Sequence, residues 1–199
     1  MGKAVLVAAL RQKNRQMYQH RCCNGAQPER LFASMRKVSQ WRRAAIHEAG
    51  HAVIGRVLKQ VCGGATIRQN RKDSEVGHGI IADPHVTQWH WEKLGRYREF
   101  SAIMHGRIMA YMAGREAEEE FFGDCAGGDD DDQWQADLML NSLLPVAIDE
   151  SDYRRHHSRL SRHTRGLVKR RAKIERVAAL LLECKALKAE EIDRAVREG

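Results

Sequence analysis

The sequence predicts a mainly α-helical domain with one small β hairpin or sheet. Three observations predict it. Apolar residues recur at helical spacing through most of the chain after residue 38, two short β-prone runs follow the first helical stretch, and glycine or proline closes the helical stretches.

Residues 1–38 read as an N-terminal extension, with a helix over 4–19 and breaks at Asn24-Gly25 and Pro28, and residues 39–199 read as one domain. Over 41–59 the apolar positions Trp41, Ala44, Ala45, Ala52, Ile54, Val57 and Leu58 mark a helix, with Ser39 as its cap and Gly63-Gly64 as its stop. The runs 65–67 and 79–82 have strand character. They are separated by the polar stretch 69–77 and closed by Asp83-Pro84, which suits a hairpin. One long helix is expected over 91–122, through Ile103, Met104, Ile108, Met112, Ala113, Ala117 and Phe121, with Gly123 as its stop. Gly114 inside it weakens the helix, so it marks close packing. After the acidic run Asp129 to Asp132, residues 133–144 read as a helix stopped by Pro145, and 167–184 and 189–197 as two more.

At 199 residues the chain suits one domain with an appendage. Its net charge of +8 is polarised: positive over 11–43 and 154–173, strongly acidic over 116–132. The stretch 154–162 reads as a solvated basic helix or loop, because no helix-turn-helix, zinc-finger or RNP signature accompanies it, and nucleic acid is not an expected partner. The five cysteines are odd in number and form no C-x-x-C pair, which speaks against a disulfide framework or a thiolate metal site and points to the reducing cytoplasm. The apolar run 4–10 is too short to span a bilayer and lacks a cleavage site, so no membrane segment or secretion signal is expected.

The chemistry centres on His47-Glu48-Ala49-Gly50-His51. On a helix, residues four apart stand one above the other, so His47 and His51 can offer two imidazole nitrogens to one Zn²⁺. Glu48 lies around the helix from that pair, outside the ligand set but within reach of a water, which is the arrangement of a zinc pair with a general base. Gly50 leaves room beside the site for a substrate or a closely packed neighbour. A catalytic zinc site needs a third protein ligand from elsewhere.

The segment Ala45-Ile46-His47-Glu48-Ala49-Gly50-His51-Ala52-Val53-Ile54-Gly55 resembles the zinc helix of the FtsH-type ATP-dependent metalloprotease family. Met112-Ala113-Gly114-Arg115-Glu116-Ala117-Glu118-Glu119-Glu120-Phe121-Phe122-Gly123 is similar to that family's A-G-R-x-A-E-E segment, and residues 178–183, Leu187 and Glu191-Ile192 resemble its closing helices. The resemblance implies a helical, zincin-type metallopeptidase domain over 39–199 that hydrolyses polypeptides with Zn²⁺, Glu48 acting as general base.

It also implies a third ligand. The family's T-G-A-x-N-D-L segment corresponds to Ala126-Gly127-Gly128-Asp129-Asp130-Asp131-Asp132-Gln133-Trp134-Gln135-Ala136. Aligning Gly128 and Ala136 selects Asp132, on one helical face with Ala136, Leu140 and Leu143; Asp131 is the runner-up, and Gln133 stands where the family has an apolar residue. Glu118 and Glu119 are candidates to accept a hydrogen bond from a ligating histidine. No G-x-x-x-x-G-K-[ST] phosphate loop occurs in these residues, so the expected protein is a peptidase domain without its own ATPase, with an ATPase or adaptor as a prospective partner and homo-oligomerisation left open. The alternative is a non-catalytic metal-binding or interaction module that retains the scaffold.

Overall fold

Helix α1 (Gln40–Val57) is the centre of the described domain: from Ala45 to Gly55 every residue but His47 is buried. In the computed structural model the described residues are 40–67, 77–127, 129–145 and 149–198. Expectations for 1–38, for Ser39 and for most of the 69–77 stretch lie outside them. After α1 come β1 (Cys62–Thr66), β2 (His78–Ile81), α2 (Pro84–Lys93), α3 (Phe100–Phe122), α4 (Asp130–Leu143), α5 (Glu150–Val168), α6 (Arg171–Cys184), β3 (Ala186–Leu187) and α7 (Ala189–Arg197). The described chain is thus mainly helical with one small sheet, as the apolar periodicity predicts.

Small residues explain how α1 can be buried on so many sides. It packs against α3 and α6; Gly50 on α1 meets Ala113 and Ala117 on α3, and Ala45, Ala49 and Ala52 lie in the same buried core. A Cβ at Gly50 would stand 2.6 Å from the Ala113 carbonyl oxygen and 2.9 Å from Ala117 Cβ, so the glycine lets the two helices approach. The packed neighbour, rather than a substrate, fills the space Gly50 leaves. Ile174, Val177, Leu181 and Ile192 close this core from α6 and α7, while Ile108, Met112, Ala136, Leu140 and Leu160 form a second core among α3, α4 and α5.

The sheet is antiparallel with order β2-β1-β3; Cys62 faces Ile81, Ala65 faces both Gly79 and Leu187, and Thr66 faces both His78 and Ala186. Gly63 and Gly64, read from sequence as a helix stop, lie inside β1. The chain leaves α1 earlier, with Lys59 at φ 61°. Gly64 is required in the strand because a Cβ there would run into the Leu187 carbonyl oxygen of β3. At two residues, β3 is too short to leave a period in the sequence.

The helix expected over 91–122 is two helices. Asp83 caps α2, its side chain accepting from His85 N–H at 2.9 Å, and Pro84 opens the first turn. Gly95, at φ 67°, turns the chain before α3. Trp91 Nε1 and Arg98 Nη1 each donate to the Lys59 carbonyl at 3.0 Å, fixing that turn on the end of α1. Helix α4 begins at Asp130 rather than 133, since three aspartates in a first turn favour its positive end. The basic stretch is a full helix, α5, which takes Leu167 and Val168 from the helix expected over 167–184. Among the described residues no helix is long and apolar enough to cross a membrane.

One polar group joins α4 to α5 in the second core. Tyr153 Oη donates to the buried Asp137 carboxylate, and His157 Nε2 stands 3.8 Å from it. Burial pushes the Asp137 carboxyl up to about 6, against the opposing hydrogen bond from Tyr153. A carboxyl whose folded pKa lies above its unfolded value of about 3.9 favours folding while protonated, so that stability is present at about pH 4 and lost as pH rises through about 6. Asp137→Asn should remove up to about 3 kcal/mol of pH dependence across this window, measured as a flatter profile of unfolding free energy against pH.

Candidate metal centre

Three electron-pair donors from two helices converge. His47 Nε2 and His51 Nε2 on α1 stand 3.1 and 3.0 Å from Asp132 Oδ2 at the start of α4, and the three atoms lie within 4.8 Å of one another. The imidazole rings meet edge to face, centroids 4.7 Å apart, as i and i+4 stacking on one helical face dictates. Among the described residues this is the one such group of metal-ligating side chains.

The other ring nitrogens fix the tautomers. His51 Nδ1 lies 2.7 Å from the Ala110 carbonyl oxygen, which can only accept, so Nδ1 carries the proton and Nε2 is left facing Asp132. His47 Nδ1 lies 2.8 Å from Glu118 Oε1, with the same consequence. Two bare imidazole nitrogens and a carboxylate oxygen cannot satisfy one another without a cation between them or protons on the rings. Burial alone would lower the His47 pKa, but the hydrogen bonds to Asp132 and Glu118 and the charge of Glu48 outweigh it and hold it up to about 10. His51 is likewise raised, burial being overcome by Asp132. The same imidazoles outweigh burial at Asp132 and hold it well below the usual carboxylate range. The site therefore selects positive charge. Tetrahedral ligands at roughly 2.0–2.1 Å from Zn²⁺ stand about 3.3 Å apart, close to the separations here, and two imidazoles with a carboxylate are a donor set zinc accepts.

The four aspartates separate by position. Asp129 is buried and paired with Arg115 Nη1 at 3.5 Å, Asp130 and Asp131 are exposed, and Asp132 alone reaches the histidines, one and two turns before the buried Ala136 and Leu140. Its side chain keeps 27% exposure, so the group is open to solvent on that side.

Glu118 and Glu119, equal candidates from sequence, divide as well. Glu118 is buried, receiving His47 on one oxygen and Ala126 N–H at 3.2 Å and Arg43 Nη1 at 3.3 Å on the other. Glu119 instead pairs with Arg115 and Arg165, at 3.1 and 3.2 Å. Arg43 lies one turn before His47 and also donates to Asp124 Oδ1 at 2.5 Å, tying α1 to the loop that leads into α4. Sequence reasoning missed Arg43, although its i−4 spacing from His47 was a signal.

Gly114 of α3 lies against the convergence. A Cβ there would lie 2.5 Å from both His47 Nε2 and His51 Nε2, so α3 must present bare backbone to the imidazoles. Glu48 is buried with its carboxylate against Gly77 and Gly79 at the start of β2; a Cβ at Gly79 would come within 3.2 Å of Oε2, and one at Gly77 would overlap Oε1.

A distant relationship to known proteins agrees with this geometry. The chain is 30% identical over 139 residues to the ATP-dependent zinc metalloprotease FtsH of Acaryochloris marina (strain MBIC 11017). The aligned stretch is 62% of this chain and 20% of that relative, so the chain spans about a fifth of the protein it matches. No protein-family model matches the chain.

Proposed function

We propose that this chain is a zinc-dependent peptidase whose metal is held by His47, His51 and Asp132. The reading rests on one observation: both imidazoles are locked through Nδ1 so that their Nε2 atoms converge with Asp132 Oδ2. When bound, Zn²⁺ supplies Lewis acidity, making a water a stronger acid and polarising a peptide carbonyl. Glu48, next to His47 yet outside the converging group, would take the water's proton and return it to the leaving amine. Glu118 and the Ala110 carbonyl keep the rings in register, and the partial exposure of Asp132 leaves the substrate an approach. A structural site would not need a carboxylate beside its ligands, which favours this reading over a non-catalytic module. The 30% identity to a protein named as a zinc metalloprotease supports it further. ATP-driven unfolding would come from outside these 199 residues, which hold no phosphate loop.

The test is metal analysis of the purified chain with hydrolysis of an unfolded protein such as reduced casein. About one zinc per chain with chelator-sensitive cleavage is expected; a chain without stoichiometric zinc would overturn the reading, and zinc with no cleavage would favour the non-catalytic module.

Two results bear on how the site is supported. Glu118→Ala should weaken zinc binding about 10–100-fold and Arg43→Ala about 10-fold, the range for outer partners of metal ligands, while Glu119→Ala leaves it unchanged; competition against a zinc chelator measures all three. Gly114→Ala should weaken zinc binding by more than the same 10–100-fold and cost roughly 1–3 kcal/mol of stability from overpacking, read by that competition and by denaturant unfolding.

A further inference from the structure

The outer face of α5 is a row of cations, most of which have no charged partner among the described residues. Residues 150–173 contain nine Lys or Arg against two acids, a net of +7 beside the +8 of the whole chain. Tyr153, Leu160, Thr164 and Val168 turn inward, and the opposite face presents Arg155, Ser158, Arg159, Arg162, Gly166 and Lys169, followed by Arg170, all exposed. Arg155 is held by Asp152 at 2.8 Å. Among the described residues, no ion pair or side-chain hydrogen bond engages Arg159, Arg162, Lys169 or Arg170. His156 and Arg159 also stand near His105, where burial first and then the charge of the surrounding row push the imidazole down.

Gly166 is the second, independent observation. It lies inside a helix, where glycine is less stable than alanine, and a Cβ there would meet nothing within 4 Å. Among the described residues, no packing requires it. It sits in the middle of the cationic row, where a bare backbone admits a partner's chain close to the helix axis.

We infer that this face binds the phosphodiester backbone of nucleic acid without reading its sequence. The row from Arg155 to Arg170 is about 22 Å long at 1.5 Å per residue, enough to lie along roughly six base steps of duplex. Arginine dominates it, and the guanidinium fork suits phosphate oxygens. Among the described residues the exposed large apolar ones are Trp41, Ile80, Val86, Trp89, Leu94, Tyr97 and Leu138, none of them on α5, so the face offers nothing to insert into a lipid surface or to bury against a protein partner. Phosphates need no apolar contact. The sequence alone reads as a solvated basic surface; the fold adds the single face, its free guanidinium groups and the unexplained glycine.

The test is fluorescence anisotropy of a labelled 20-base-pair DNA duplex of arbitrary sequence with the full 199-residue chain. Five engaged cations give a slope of log affinity against log salt of about −4 to −5. The variant Arg159→Gln/Arg162→Gln should bind on the order of 100-fold more weakly at 50 mM salt, with the slope smaller by about 2, while its zinc content and Tm match the wild type. Gly166→Ala should raise Tm yet weaken binding. The inference is overturned if the wild type binds neither duplex nor single strand at 50 mM salt, if the double variant keeps wild-type affinity and slope, if Gly166→Ala binds as tightly as wild type, or if vesicles containing phosphatidylserine are bound and nucleic acid is not.

Discussion

Glu48→Gln should retain one zinc per chain and lose hydrolysis of an unfolded substrate by about 10²–10⁴-fold, the contribution of a positioned general base. The substitution is nearly isosteric, and Glu48 lies against Gly77 and Gly79 rather than in the converging group, so the fold and the three donors persist. What disappears is the capacity to accept a proton. The measurement pairs metal stoichiometry with the initial rate of cleavage. Loss of zinc along with activity would place Glu48 among the ligands, and undiminished activity would remove it from the reaction.

Asp132→Ala should weaken zinc retention well beyond the about 10–100-fold that loss of an outer partner costs, because it takes away one of three donors and the one negative charge among them. Asp131→Ala, one residue away but exposed, should bind zinc as the wild type does. In metal-free protein the Asp132 variant also frees two buried imidazoles from the carboxylate that keeps them charged, so their pKa values should fall, most directly seen by NMR titration of the ring protons. Equal zinc affinity in the two variants would exclude Asp132 as a ligand.

Local features were legible wherever one element carried its own signal. The i, i+4 spacing of His47 and His51 puts both rings on one face of α1 whatever surrounds it. Gly123, the expected stop of α3, is its cap at φ 80°, and Pro145 follows the end of α4. The break between α2 and α3 was hidden because Trp91, Leu94, Tyr97 and Phe100 recur three apart across it. What bends the chain there is a contact with Lys59, more than thirty residues earlier. Strand β3 escaped for the same reason: its two residues pair with β1 from across the chain.

The site shows the same division. The sequence alone determined a mainly helical domain, the imidazole pair on one helical face and the adjacent Glu48, and its family resemblance pointed to a short run of aspartates for a further donor. Asp132, which the resemblance selects over Asp131, meets the histidines; the tertiary structure alone decided that Asp129 turns to Arg115, that Glu118 rather than Glu119 supports His47, and that Gly114 presents bare backbone to both Nε2 atoms. The physical reason is range. Helical periodicity acts over three or four residues and is written in the local order of side chains, whereas the approach of α3 and α4 to α1 is set by small residues packing across some seventy positions of chain, where no local pattern records which neighbour a carboxylate will find.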